Sequence, residues 1–162
     1  MTHRPAVAAD EPFVRDLICE LVTADLGAAN WPEAVRAPLL EIQYRGRISG
    51  IRDQFPDAAE EILLADGEPV GWAVIHRGPE ELRLVEIAVR SVRRGKGIGE
   101  ARLQELLAEA DAAGKPVRLR VAAGNRAIRL YLRLGFRQTG SDEVRVWMER
   151  PAGGIGPPAG AV

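Results

Sequence analysis

A short glycine-rich segment with basic side chains, residues 93–99, carries the clearest chemical signal in this 162-residue sequence. The mostly apolar residues before it, 82–89, predict a β-strand. After it, apolar residues recur at helical spacing, at Leu103, Leu106, Leu107 and Ala110. Glycines leave backbone N–H groups accessible, and a helix N-terminus carries positive partial charge. We therefore expect the segment to bind a phosphate group, with a solvated basic turn as the alternative.

Spacing excludes two common phosphate-binding motifs. The dinucleotide fingerprint requires G-x-G-x-x-G, and counting from Gly95 its last position falls on Glu100. A Walker A loop requires serine or threonine after its lysine, whereas Gly97 follows the lysine here. What remains is the pattern Arg94-x-x-Gly97-x-Gly99, which is a weak signal by itself.

A second motif, residues 125–136, reads N-R-A-I-R-L-Y-L-R-L-G-F. Its apolar positions share one helix face, and Gly135 lies where a C′ residue would end the helix. Together the two motifs resemble the pyrophosphate loop and the N-x-x-A-x-x-L-Y-x-x-L-G-F segment of the GNAT (Gcn5-related) N-acetyltransferases. The resemblance covers residues 60–150. The wider sequence pattern is similar to bacterial members of the family whose substrate is unassigned.

The resemblance implies an α/β GNAT fold with a mixed central sheet of six to seven strands, helices on both faces, and splayed fourth and fifth strands. From the residues themselves, strands are predicted at 2–6, 61–65, 70–76, 82–89, 116–121 and 142–149. A first helix is predicted to begin at Asp10-Glu11-Pro12. We expect a single domain over residues 1–150, and a disordered Pro/Gly/Ala-rich tail over 151–162.

The second helical region begins at Trp31-Pro32 and reaches towards Pro56. Gly46 and Gly50 interrupt its pattern, and each costs a helix about 1 kcal/mol relative to alanine. We therefore expect a break or a mobile segment in this region. An imperfect but continuous helix is the alternative.

Composition limits the classes of partner. The formal net charge of −1 gives no support for nucleic-acid binding, and no apolar run approaches the roughly 18 residues of a membrane span. The N-terminus lacks the pattern of a signal peptide, and the single cysteine suits a reducing cytoplasm. Two histidines and no clustered ligands argue against a metal site.

The GNAT resemblance implies acetyl-CoA as co-substrate. Its pyrophosphate would bind the backbone amides of Arg94, Gly95, Lys96, Gly97, Ile98 and Gly99. The pantetheine arm would pair with the backbone of Ile87, Ala88 and Val89 in the fourth strand. The Val89 amide is then the expected oxyanion donor, because such a hole is built from fixed N–H dipoles.

The same resemblance implies candidate catalytic residues. Tyr131 occupies the family's usual proton-donor position, where a phenol can protonate the departing thiolate. Glu86 is the carboxylate within the fourth strand and is expected to be partly buried, which would raise its pKa. As an alternative, Glu86 is a structural ion-pair partner of Arg83 or Arg118. Asn125 is both a natural helix cap and a position that contacts CoA in the family.

These features predict an enzyme that moves an acetyl group from acetyl-CoA directly to a primary amine, in a small molecule or at a peptide N-terminus. Histone-acetylating GNATs place their base six residues before the valine, and Arg83 occupies that position here. A non-catalytic CoA-binding sensor or regulatory module is therefore the competing prediction. Dimerisation is common among GNATs, and a homodimer is an open expectation for this chain.

Overall fold

The structure is a computed structural model, and it describes residues 1–154. In chain order the strands are β1 Thr2–Pro5, β2 Ala59–Ala65, β3 Glu68–Arg77, β4 Leu82–Val89, β5 Val117–Ala122, β6 Arg137–Ser141 and β7 Arg145–Arg150. The helices are α1 Glu11–Leu26, α2 Glu33–Gln54, α3 Ile98–Ala113 and α4 Ala127–Arg133. Short 3-10 turns cover Ala8–Asp10, Ser91–Arg93 and Ala152–Gly154. Most of the expected tail, residues 155–162, lies outside the described residues.

All seven strands belong to one mixed sheet in the order β1-β2-β3-β4-β5-β7-β6, and helices lie on both of its faces. β4 pairs with β5 in parallel, whereas β1–β2, β5–β7 and β6–β7 are antiparallel. The β4–β5 register runs from Leu82↔Val117 to Leu84↔Leu119. Within the described chain it goes no further, although both strands continue. The predicted α/β GNAT fold with splayed fourth and fifth strands is confirmed.

The chain divides into two compact units. Unit 1 comprises Met1–Val74 and Glu86–Gly99, and unit 2 comprises Ile75–Val85 and the residues from Glu100 onwards. In unit 1, α1 packs on α2, and its buried residues are Val14, Leu17, Ile18 and Val22. In unit 2, the predicted apolar stripe of α3 is buried, because Leu103, Leu106, Leu107 and Ala110 are each at most 5% exposed.

The expected break in α2 is wrong. The helix is continuous over 22 residues and contains Pro38 as well as Gly46 and Gly50. One face of the helix buries Tyr44 and Ile48. This packing outweighs the unfavourable helix propensities of Pro38, Gly46 and Gly50. Both glycines lie where an added Cβ would meet nothing within 4 Å.

The C-terminal strands also differ from expectation. β6 was not anticipated, because its residues R-Q-T-G-S are polar and mostly exposed at the sheet edge. The last strand begins at Arg145 rather than at Asp142, whose carboxylate instead accepts the backbone N–H groups of Val144 and Arg145 at 2.8 and 2.7 Å. Gly135 has a φ of +93° after α4, so the predicted end of that helix is confirmed.

Candidate functional site

The glycine-rich loop contains two residues with left-handed backbone angles. Gly95 and Gly97 have φ angles of +73° and +76°, in the region that glycine adopts without a Cβ penalty. A Cβ at either position would meet nothing within 4 Å, so open space lies beside both. α3 begins immediately afterwards at Ile98, and the first N–H groups of a helix have no intrahelical acceptor. Among residues 1–154, no protein acceptor is paired with the N–H groups of residues 95–99.

Arg94 ties this loop to the end of β4. Its Nε donates a hydrogen bond to the carbonyl oxygen of Val89 at 3.1 Å. Its Nη2 is buried and has no hydrogen-bond partner within the described chain. An orphaned buried donor of a guanidinium is costly, so the site favours an acceptor that comes from outside the protein.

The 3-10 turn Ser91–Arg93, which precedes the loop, is hydrogen-bonded to α1. The Glu20 Oε1 atom accepts the Ser91 N–H at 2.6 Å, and its Oε2 lies 3.4 Å from Nη1 of Arg90. Burial raises the pKa of Glu20, but the Ser91 hydrogen bonds and the charges of Arg90 and Arg94 outweigh burial and lower it overall. Sequence reasoning missed this residue, because nothing local marks a contact that spans 71 positions.

Residues 87–89 lie against the loop in unit 1. A Cβ on Gly99, in the first turn of α3, would lie 3.8 Å from the side chains of Ile87 and Val89. On the other side, a Cβ at Gly71 would lie 2.6 Å from the Ala88 carbonyl oxygen, so glycine is required there. The structure thus brings the predicted pantetheine strand and the predicted phosphate loop together within one unit.

Glu86 is held by a cation from α2. Its Oε2 lies 3.0 Å from Nε of Arg47, and its side chain is 17% exposed. Burial raises the pKa of Glu86, while the charge and hydrogen bond of Arg47 and the Ile87 N–H oppose that rise without cancelling it. Asp25 of α1 adds a like charge that also raises the pKa. The raised pKa brings the carboxyl closer to the range of a general base.

The sequence offered Arg83 or Arg118 as an ion-pair partner of Glu86, and the partner that the structure gives it is Arg47. Arg83 pairs with Glu81 at 3.3 Å, and Arg118 pairs with Glu81 at 2.8 Å and with Glu149 at 2.7 Å. The partner of Glu86 is Arg47, which the sequence reasoning did not select because the two residues are 39 positions apart.

The second motif lies in unit 2. The Asn125 Oδ1 atom accepts the N–H of Ala127, the first residue of α4, at 2.8 Å, although the N-cap position itself falls on Arg126. Tyr131 is 7% exposed, and its ring packs against Phe136 with centroids 5.6 Å apart. This packing fixes the ring, so a Tyr131→Phe change removes the hydroxyl without removing the core contact.

Among residues 1–154, no group of three His, Cys, Asp or Glu side chains is arranged to hold a metal ion. None of the helices described is long and apolar enough to cross a bilayer. Burial raises the pKa of the Cys19 thiol, which disfavours the thiolate that a covalent acyl-cysteine route would need.

The sequence profile of the acetyltransferase (GNAT) family matches residues 28–136, which is more than half of the chain. The chain belongs to the GNAT acetyltransferase family, and it is a domain of the acyl-CoA-dependent acetyltransferase class. The comparison with curated proteins found no match.

Solved structures agree with this family. A Corynebacterium glutamicum protein described as histone acetyltransferase HPA2 and related acetyltransferase is 26% identical, with a TM-score of 0.67 over 97% of this chain and 98% of its own. Ribosomal-protein-alanine N-acetyltransferase from Brucella melitensis is 25% identical, with a TM-score of 0.61 over 93% and 99%. PaiA N-acetyltransferase from Thermoplasma acidophilum, solved with coenzyme A, is 18% identical over 93% and 98%. Its TM-score of 0.70 supports the fold alone.

Proposed function

We propose that this protein is an N-acetyltransferase that moves the acetyl group of acetyl-CoA directly to a primary amine, in a small molecule or at a peptide N-terminus. The observation that carries the proposal is the Arg94 hydrogen bond to Val89, because it joins the anion cradle to the end of β4. A phosphate bound in the loop, and a thioester carbonyl polarised by the Val89 N–H, would then be held by two segments that are bonded to each other.

The loop residues fit the pyrophosphate of acetyl-CoA. Gly95 and Gly97 leave open space beside a backbone whose N–H groups have no acceptor among the described residues. The N-terminus of α3 adds a positive dipole end, and α3 is long enough, at 16 residues, for that dipole to matter. Arg94 contributes positive charge and an unused donor. Asn125 is proposed as a further CoA contact, on the family resemblance alone.

Residues 87–89 are proposed to bind the pantetheine arm through their backbone. β4 extends beyond its last pair with β5, so its remaining N–H and C=O groups are suited to pairing with an amide-bearing arm. The Val89 N–H is proposed as the oxyanion donor. A fixed donor of this type is worth about 10²–10³ in kcat.

Glu86 is proposed as the general base, acting on the ammonium form of the acceptor directly or through a water molecule. Deprotonation of an alkyl ammonium with a pKa near 10.4 costs roughly 4.6 kcal/mol at pH 7, so a general base would accelerate the reaction. The raised pKa of Glu86 improves its proton affinity, and its 17% exposure leaves the carboxylate reachable.

Tyr131 is proposed as the general acid for the leaving group. Attack of the neutral amine on the thioester carbonyl forms the new C–N bond. The nitrogen then gives up its extra proton to solvent, and the C–S bond breaks, which releases a thiolate. The tyrosine hydroxyl gives its proton to that thiolate, and its own proton is replaced from solvent. Since a phenol and a thiol have comparable basicity, this transfer is close to balanced in energy.

The test is a free-thiol assay with acetyl-CoA and a panel of amines that includes small alkylamines, amino acids, aminoglycosides and peptides with free N-termini. An N-acetyltransferase releases CoA only when an accepted amine is present, and mass spectrometry of the product locates the acetyl group on nitrogen. The competing sensor would show a CoA-induced rise in melting temperature with no thiol release on any amine. Acetylation on oxygen would contradict the amine assignment while leaving the family unchanged.

A further inference from the structure

Helix α2 has apolar residues on two opposite faces, and residues 1–154 cover only one of these faces. Tyr44 and Ile48 are buried, at 5% and 8% exposure. On the opposite side, Val35 and Ile42 are 56% and 66% exposed. At about 100° per residue, Ile42 points roughly 200° away from Tyr44. Uncharged residues continue this outer stripe for four turns: Val35, Pro38, Leu39, Ile42, Gly46 and Ser49.

The outer stripe is bulky at one end and flat at the other. Its N-terminal half carries Val35 and Leu39, whereas its C-terminal half carries Gly46 and, at the border, Gly50. An added Cβ at either glycine would meet nothing within 4 Å, so each position is an open shallow site. A small-xxx-small spacing of this kind lets two helix backbones approach closely. Glycine is otherwise unfavourable in a helix interior, so contact with another helix supplies a reason for both residues.

Charges on one flank of the stripe are self-complementary. Glu41 and Arg45 form an i,i+4 pair with 2.6 Å between Oε1 and Nε, and Arg45 is 77% exposed. If an identical helix lies alongside in the opposite direction, with its two-fold axis near Gln43, Glu41 faces the partner's Arg45 and Arg45 faces the partner's Glu41. The same placement brings Leu39 over the partner's Gly46 and Val35 over the partner's Gly50.

We propose that α2 is a homodimer interface, in which the outer stripes of two copies pack antiparallel about a two-fold axis near Gln43. A second copy of this chain is the occupant because bulky residues meet glycines and acid meets base in both directions at once. An isologous contact of this type closes on itself and gives a dimer rather than a filament. The inference concerns α2 alone and does not rest on the proposed function.

The first experiment measures solution mass by light scattering over a dilution series. The wild type is expected as a dimer that dissociates on dilution. Ile42→Glu is expected as a monomer at every concentration, and Val144→Glu, at a site that is 67% exposed in the β6–β7 turn, keeps the wild-type behaviour. Gly46→Gln has room in the single chain, so it should be monomeric without a loss of melting temperature. A monomeric wild type, or an Ile42→Glu dimer, would overturn the proposal.

A charge-exchange experiment tests the antiparallel arrangement. Glu41→Arg alone places two Arg–Arg contacts in the interface, and Arg45→Glu alone places two Glu–Glu contacts there. Each variant is therefore expected to be monomeric, while an equimolar mixture pairs Arg with Glu at both places and forms a heterodimer. Circular dichroism melts of both variants check the fold, because Glu41 also pairs with Arg15 inside the chain. A folded pair that stays monomeric on mixing would reject this register.

Discussion

Arg47 of α2 and Glu86 of β4 are 39 residues apart in the chain, yet Nε and Oε2 of their side chains lie 3.0 Å apart. Both side chains are partly screened from solvent, at 34% and 17% exposure, so the pair interacts more strongly than a surface ion pair. Arg47 therefore holds the carboxylate in place and limits how far burial raises its pKa. The long second helix thus supports the proposed base directly.

Glu86→Gln is expected to slow acetyl transfer by roughly 10²-fold or more, because general-base help is worth about 10²–10⁴ in rate. The loss should be greatest at the lower end of the pH range in which Glu86 is ionised, because unassisted deprotonation of the amine is hardest there. kcat/KM measured across roughly pH 6–9 checks this. Glu60→Gln is the matched control. It breaks the 3.0 Å ion pair between Glu60 and Arg52, which lies on α2 as Arg47 does. Equal rates for Glu86→Gln and wild type at all pH values would make Glu86 structural.

Arg47→Met is expected to move the acidic limb of the kcat/KM profile to higher pH. The sign follows from the ion pair: Arg47 lowers the pKa of Glu86, so its removal raises that pKa further, and the base is ionised only at higher pH. Arg52→Met should leave the limb unchanged. A limb that stays in place in Arg47→Met, with the fold intact by melting, would show that Glu86 does not titrate in that limb.

Gly97→Glu is expected to abolish the rise in melting temperature that acetyl-CoA gives the wild type. The new side chain puts bulk and negative charge where the pyrophosphate is proposed to bind. Gly67→Glu is a close control. Gly67 has a φ of +80°, compared with +76° for Gly97, and an added Cβ meets nothing within 4 Å at either position. Gly67, however, lies in the β2–β3 turn. Both variants carry similar backbone strain, so only a loss confined to Gly97→Glu supports the loop assignment. A full shift in that variant would refute it.

Tyr131→Phe is expected to lower kcat and kcat/KM together by roughly 10²-fold, as for an interaction made only in the transition state. Melting temperature and acetyl-CoA affinity should change little, because the ring keeps its contact with Phe136. Tyr44→Phe alters the other tyrosine, which is similarly buried at 5%, and should retain full activity. Full kcat in Tyr131→Phe would mean that solvent protonates the thiolate.

Local patterns were enough wherever a structural feature is decided by neighbouring residues. The apolar stripe of α3 and the end of α4 at Gly135 were predicted, because helical periodicity and the positive φ of a helix-ending glycine depend on a few adjacent positions. The turn between β2 and β3 is also a local feature, because Asp66 and Gly67 both have positive φ angles.

Features decided by distant residues needed the tertiary structure. The propensities of Pro38, Gly46 and Gly50 argue against a long helix, and only burial of Tyr44 and Ile48 shows why α2 continues. The edge strand β6 has no apolar alternation, so its pairing with β7 alone defines it.

For the candidate site, the sequence alone predicted the glycine-rich loop proposed to bind an anion, the strand before it and the family to which both belong. Only the fold decided that Arg94 reaches Val89, that Glu20 holds Ser91 and that Arg47 neutralises Glu86. A hydrogen bond or an ion pair between elements depends on where the packing of both elements places each side chain. Sequence spacing does not encode that placement, because it is fixed by the burial of many other residues at once.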